Sequence, residues 1–311
     1  MVVKLAKKIV KSYVRKTGFE IKRVASDQRY DLCRHGSHPV EAVYASQGEP
    51  CLVEVPLSRI ITFGYSAFPL AANAGHPFVK TLEEYRNDRE MVVDSSPLRK
   101  FYELYQPRTA AEFMGLGQPS YSRFETLPAL AAPPLWAWDS PEEYCRHIKG
   151  VHQAEDKEQR GSSDKFIGGS QFGPVENDKL EIEFRRLTKL YESIERYGYR
   201  PEKCDWMTGV AWVGESEWVI VISTGQHRLA CLAVLGYESA AVHLQPVKAP
   251  AGLMMRSNHR HFPSVVNSYH TAEEARTIFD RMMSRRQPEA AREWLSFCQA
   301  GRAPVVSVVE S

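Results

Sequence analysis

The chain has 311 residues, 43% hydrophobic and 25% charged, with a formal net charge of +2, the composition of a globular protein able to bury a sizeable core in one large domain or two smaller ones. No run of about eighteen uninterrupted apolar residues occurs, which argues against a membrane-spanning helix. The six cysteines lack a CxxC pair and sit mostly in apolar contexts, which reads as free thiols in a reducing, cytoplasmic compartment rather than a disulfide scaffold.

The charge is unevenly spread. Residues 1–24 hold six lysines and two arginines against Glu20, a net of +7 that leaves −5 for the rest. Lys4, Lys8, Lys11 and Arg15 recur at helical spacing, and Val2, Leu5, Ile9 and Tyr13 do so on another face, with Thr17-Gly18 as the stop. The pattern predicts a basic amphipathic helix whose residues 2–16 suit the inner face of an anionic membrane. Docking on its own domain and contact with nucleic acid are the other readings, nucleic acid the less favoured. The segment lacks the long apolar core and small-residue cleavage site of a secretory signal.

Residues 25–50 read as an irregular lead-in. Cys33, His35 and His38 lack a second cluster to complete a tetrahedral site, so no metal ligands are assigned. Cys51–Val55 is an apolar run ending at Pro56, a candidate edge strand. Helices are expected over Thr81–Asp88, Pro97–Tyr105 and Thr109–Gly115, the last two with start signals in Ser96-Pro97 and the Thr109-x-x-Glu112 box. Four prolines with Trp136 and Trp138 mark residues 117–139 as a long loop or lid. Ser140-Pro-Glu-Glu opens a helix to about Gln153, and the charged, then glycine- and serine-rich residues 154–163 read as an exposed, mobile connection.

The glycine-rich stretch 165–175 precedes a helix from Asp178 with an apolar stripe of Leu180, Phe184, Leu187, Tyr191 and Ile194, ending at Gly198. Strands near Met207–Val213 and Trp218–Ile222 form a hairpin turning at Gly214-Glu215-Ser216. Gly225 then breaks the apolar run and Gln226 to Leu235 resumes at helical spacing, before a last strand over Ser239–Leu244. A strand, a glycine turn and a helix aim free backbone N–H groups, with Gln226, His227 and Arg228, at one point that attracts anions. A glycine that serves only the turn fits the spacing equally well. Two helices follow, at about Thr271–Ser284 and Pro288–Cys298, the first behind a Thr271-x-x-Glu274 capping box. Arg256, His259, Arg260 and His261 form a basic cluster suited to a phosphorylated substrate, nucleic acid or solvent.

The order Leu190-Tyr-Glu-Ser-Ile-Glu-Arg-Tyr-Gly-Tyr-Arg-Pro, hairpin, Gly225-Gln-His-Arg-Leu-Ala, closing strand resembles the ParB/sulfiredoxin superfamily. The upstream run Leu52–Val55 with Leu57–Ile60 resembles that family's first strand and the segment after it. The resemblance covers residues 51–61 and 178–246, about a quarter of the chain. It implies an α+β fold, a small mixed sheet with flanking helices, in a domain over 51–246 with a large helical insertion at about 62–177 and a helical extension over 247–311. It also implies a nucleotide, ATP or CTP, whose phosphates lie on Gly225, Gln226, His227 and Arg228, with Mg²⁺ as companion ion.

The departures from the family narrow the activity. Gln226 stands where sulfiredoxins carry their reactive cysteine, which removes sulfinic-acid reduction, and Cys231 reads as a small core residue. Only some 65 residues follow Pro246, and their two helices lack an evident recognition face for DNA. The expectation is an ATP-dependent phosphotransferase, a kinase acting on a small hydroxylated metabolite or sugar, with a link to cell-envelope metabolism through the basic helix. Glu183 is the candidate catalytic carboxylate, ahead of Glu181 and Asp178, and Arg186 and Arg256 are candidate substrate or phosphate contacts. The alternatives are a nucleotide-gated DNA-binding or nuclease-like protein and a non-catalytic binding module.

Overall fold

The computed structural model describes residues 30–33, 38–71, 73–117, 123–160, 165–201, 205–245 and 252–300. The basic segment 1–24 and His35 lie outside them. Among the described residues, ten helices surround one mixed seven-stranded sheet in an α+β arrangement.

The strands are β1 (Cys51–Pro56), β2 (Ile60–Thr62), β3 (Phe68–Pro69), β4 (Thr208–Val213), β5 (Trp218–Thr224), β6 (Ser239–Leu244) and β7 (Leu253–Met255). They run in the order β1-β6-β4-β5-β2-β3, with β7 continuing beside β4. Val219–Ile222 of β5 are all buried, as an apolar β-branched run must be when the strand has neighbours on both sides and layers on both faces. β5 pairs antiparallel with β4, Val213 opposite Trp218, and parallel with β2, Ile60 opposite Ile220. β6 alternates buried Ala240, Val242 and Leu244 with half-buried neighbours and pairs antiparallel with β1, Val242 opposite Val53. The first strand therefore closes one side of the sheet against the last strand of the glycine-turn unit.

In chain order the helices are α1 (Pro39–Ala45), α2 (Pro77–Asn87), α3 (Pro97–Leu104), α4 (Ala110–Met114), α5 (Pro141–Arg160), α6 (Asn177–Tyr197), α7 (Gln226–Val234), α8 (Pro263–Val266), α9 (Ala272–Met283) and α10 (Arg292–Ala300). Helix α6 buries Leu180, Leu187, Tyr191 and Ile194 of its apolar stripe and exposes Glu181, Arg185 and Lys189. Helices α2, α6 and α7 pack on one another. The segment read as an insertion thus supplies core helices rather than an appendage.

The C-terminal helices are equally part of the core. Phe279 of α9 stacks on Trp212 of β4 at 4.8 Å and 8°, a contact worth roughly 0.5–1.5 kcal/mol beyond its area. Trp294 of α10, fully buried, donates to the Gly75 carbonyl at 2.6 Å. The capping box that opens α9 is present, with Glu274 N donating to Thr271 Oγ1 and Thr271 N to Glu274 Oε2.

Three differences from the sequence reading have physical causes. The irregular lead-in contains α1, and α2 begins at Pro77, four residues before Thr81. In both, a histidine does the capping that Ser, Thr, Asp or Asn usually does: His38 Nδ1 accepts from Val40 N, and His76 Nδ1 from Phe78 N and Val79 N. The run from Ala154 is not an exposed connection, because α5 continues to Arg160 and buries Asp156. Among the described residues, no helix is long and apolar enough to cross a membrane.

Candidate functional site

Gly225 turns the chain from β5 into α7. Its φ of +101° lies in the region that disfavours side chains, and an added Cβ would come within 2.6 Å of Met207 Cγ. No side chain caps α7, so the first N–H groups of the helix, from Gln226 onward, lack the usual intrahelical partners and carry the positive end of the dipole.

Each side chain of the first turn is committed differently. Gln226 Oε1 accepts from Phe63 N at 3.3 Å. Phe63 opens a turn in which Phe63, Gly64 and Ala67 all have φ between +53° and +59°, conformations that cost of order 1–3 kcal/mol for a non-glycine residue and concentrate at functional sites. Arg228, half-buried, donates through Nη1 to the Asp205 carbonyl. His227 turns inward, its ring against Phe78 at 4.4 Å and its Nε2 at 2.7 Å from Glu183 Oε2.

Glu183 and its neighbours form a buried charge cluster. Glu183 and Lys179 are wholly buried and Asp156 is 3% exposed. Lys179 Nζ lies 2.7 Å from Asp156 Oδ1 and 2.9 Å from Glu183 Oε1, one helical turn along α6, while Arg186 Nη1 approaches the same Glu183 oxygen at 3.6 Å. Burial pushes the Glu183 carboxyl up, but His227, Lys179 and Arg186 together overcome it and hold the group well below the usual carboxylate range. Burial pushes the Lys179 ammonium down, and Glu183 and Asp156 more than offset this.

The chemistry of the dyad follows. An ionised carboxylate only accepts, so His227 Nε2 carries the hydrogen. Among the described residues His227 hydrogen-bonds through Nε2 alone, which leaves Nδ1 as the ring nitrogen open to a further partner. A carboxylate that orients an imidazole and stabilises its protonated form is the arrangement that makes histidine an effective general base. Glu183 itself is sealed and paired, an arrangement that can orient the His227 ring but offers no oxygen to solvent.

The neighbouring His76 does the reverse. With Nδ1 accepting from two backbone amides, its Nε2 carries the hydrogen toward Thr62 Oγ1 at 2.7 Å. Burial lowers its pKa to about 3, so it is a neutral structural cap.

The structure gathers Gly225, Gln226, His227, Arg228, Glu183 and Arg186 at one place. Arg256 is elsewhere: its guanidinium holds Asp280 through two bonds of 2.6 and 2.9 Å and reaches Glu215 at 3.1 Å. Glu215 is in the turn at the far end of β5, roughly 20 Å away at about 3.3 Å per strand residue. Lys179 and Asp156 were missed from sequence. The Lys179/Glu183 pair had a signal, opposite charges one helical turn apart, whereas Asp156 was hidden in a charged run.

The implied ligands divide by fit. Nucleotide phosphates suit the uncapped α7 terminus and the two arginines. Mg²⁺ does not suit the donor set, because Asp156 and Glu183 already share one ammonium between them and present no free pair of carboxylate oxygens; no step is assigned to a metal held by the protein. Cys231 is fully buried, and burial pushes its thiol up, so sulfur chemistry has no reagent here.

Fold and site together define a mixed α+β protein with a carboxylate-held histidine at the open end of a helix. Comparison with known proteins returns no matching family model, no matching curated sequence and no matching solved structure.

Proposed function

We propose that the chain is a nucleotide-dependent phosphotransferase of ParB/sulfiredoxin-like fold that acts on a small hydroxylated molecule. The observation that carries this reading is the His227–Glu183 hydrogen bond of 2.7 Å at the uncapped start of α7. The order of hairpin, glycine turn, helix and closing strand supports the family assignment, and the absence of a thiol at Gln226 turns the chemistry from sulfur to phosphate.

The nucleotide phosphates lie on the N–H groups of Gln226, His227 and Arg228, with the guanidinium groups of Arg228 and Arg186 as clamps. His227 Nδ1 takes the proton of the acceptor hydroxyl as its oxygen attacks the γ-phosphorus. The bond from that phosphorus to the bridging oxygen breaks, and the nucleoside diphosphate leaves with the electron pair. Glu183 stabilises the imidazolium so formed. General-base assistance of this kind is worth about 10²–10⁴ in rate.

The test is a paired measurement on His227→Asn. Release of ADP from ATP with polyol acceptors should fall at least about 100-fold, while affinity for adenylyl imidodiphosphate stays within about threefold. A variant that turns over like the wild type removes His227 from the chemistry and the reading with it.

A further inference from the structure

The groove where α3, α4 and the start of α10 converge plays no part in the function proposed above. Its volume is about 900 Å³, space for about two turns of a helix roughly 10 Å across. The floor is apolar: Leu104, Leu116 and Ala290 line it, half-buried and packed against the core. The rim is charged, with Glu103, Glu112, Glu289 and Glu293 against Arg108 and Arg292, a net of −2.

Three of the four glutamates are open to a new partner. Glu112 is held by the Arg108 guanidinium through bonds of 3.1 and 2.7 Å. Glu103 and Glu289, both exposed, have only surface pairs with Lys100 and Arg292, which contribute little and exchange easily. Glu293 is exposed and forms no ion pair among the described residues.

The chain carries a segment of matching chemistry. Residues 1–24 hold a net of +7, and their lysines recur at helical spacing beside the stripe Val2, Leu5, Ile9 and Tyr13. An apolar stripe flanked by ammonium groups complements an apolar floor flanked by carboxylates. The tail 301–311, whose charged side chains are Arg302 and Glu310, lacks that attraction.

The segment can also reach. Asp31 bridges to Leu52 at the β1 edge of the sheet, whereas the groove lies toward the β3 edge, where Gln287 donates to the Ala67 carbonyl at 3.1 Å. The strand spacings from β1 across to β3 add up to about 24 Å, and residues 17–29 span up to about 43 Å when extended. A short linker gives an effective concentration of order millimolar, so a groove of modest intrinsic affinity is filled by its own chain.

We propose that residues 2–16 dock in this groove as an amphipathic helix, with the apolar stripe on Leu104, Leu116 and Ala290 and the lysines on Glu103, Glu289 and Glu293. Docking withholds the segment from an anionic membrane, which would use the same two faces.

Carbodiimide cross-linking of the full chain tests this, because the reagent joins a lysine amine to a carboxylate only where the two touch. Mass spectrometry of the monomeric product should find Lys4, Lys8 or Lys11 linked to Glu103, Glu289 or Glu293. The yield should fall at least about threefold in about 1 M sodium chloride, where the screening length is about 3 Å. Ile9→Ser removes an apolar anchor from the segment and Leu116→Gln removes one from the floor. Each should lower the yield at least about threefold while leaving every linked residue in place. Absence of these links, links from the segment to carboxylates elsewhere, links confined to dimers, or an unchanged yield in both variants overturns the proposal. A wild-type chain without groove links that co-sediments with phosphatidylserine-rich vesicles gives the segment to the membrane instead and overturns it too.

Discussion

Replacing Lys179 by Met is the sharpest perturbation of the buried cluster. The side chains are close in length, so the change removes the ammonium and little volume. Asp156 and Glu183 then lose the cation that lies 2.7 and 2.9 Å from their oxygens, and of the two buried carboxylates only Glu183 keeps other positively charged neighbours, His227 and Arg186. Breaking a buried pair by deleting one partner costs about 3–5 kcal/mol, and sharing by two anions places this case toward the upper end. At about 2–4 °C per kcal/mol, the midpoint should fall by on the order of 10 °C.

The pH dependence should weaken as well. In the wild type the Glu183 carboxyl is held below its unfolded value, so its contribution is present above about pH 4.5 and is lost as acid protonates it. Without Lys179, His227 and Arg186 still hold the Glu183 carboxyl down against the same burial, so less of this acid-labile contribution remains and stability falls less steeply as the pH drops below about 4.5. Urea unfolding followed by tryptophan fluorescence at pH 4.5 and pH 7.5 measures both effects. A loss under about 1 kcal/mol with an unchanged pH profile would falsify the claim that Lys179 bridges the two carboxylates.

Other consequences are independent of that cluster. Gly225→Ala sets a side chain at φ +101° and against Met207; it should cost roughly 1–3 kcal/mol and abolish nucleotide binding, as seen by calorimetry. His76, neutral in the fold with a pKa of about 3 against an ordinary 6.5, contributes stability present above pH 6.5 and lost as the pH falls toward 3. His76→Asn keeps a capping side chain and should flatten part of the acid-side decline in urea titrations, leaving the part due to His270, which burial also lowers to about 3. Cys231 should react with a thiol reagent only at the rate of unfolding, since it is fully buried with its pKa raised; rapid labelling of the native protein at that residue would contradict the packing of α7.

What the sequence disclosed followed the strength of local signals. The period-2 and period-3.6 patterns placed β6 at Ser239–Leu244 and α6 and α7 within a residue or so, and Ser96, Thr109 and Thr271 opened their helices as caps. Helices opened by histidine were invisible or late, because histidine is not a residue one reads as a cap. The separation of Arg256 from the glycine turn was equally hidden, since it depends on which end of β5 each occupies. Composition misled at Asp156: a charged run looks solvated until a buried lysine from another helix needs a counter-ion. The glycine turn into α7 was legible as a turn, but the inward turn of His227 toward Glu183 was not, as it depends on how α6 packs on α7.

The most direct test of the account is to titrate the ¹⁵N-labelled protein with adenylyl imidodiphosphate and follow its backbone amides. Saturable shifts centred on Gln226, His227 and Arg228, lost in Arg228→Ala, are the predicted result. Absence of saturable binding, or shifts centred instead on Arg256 and His259, would contradict it.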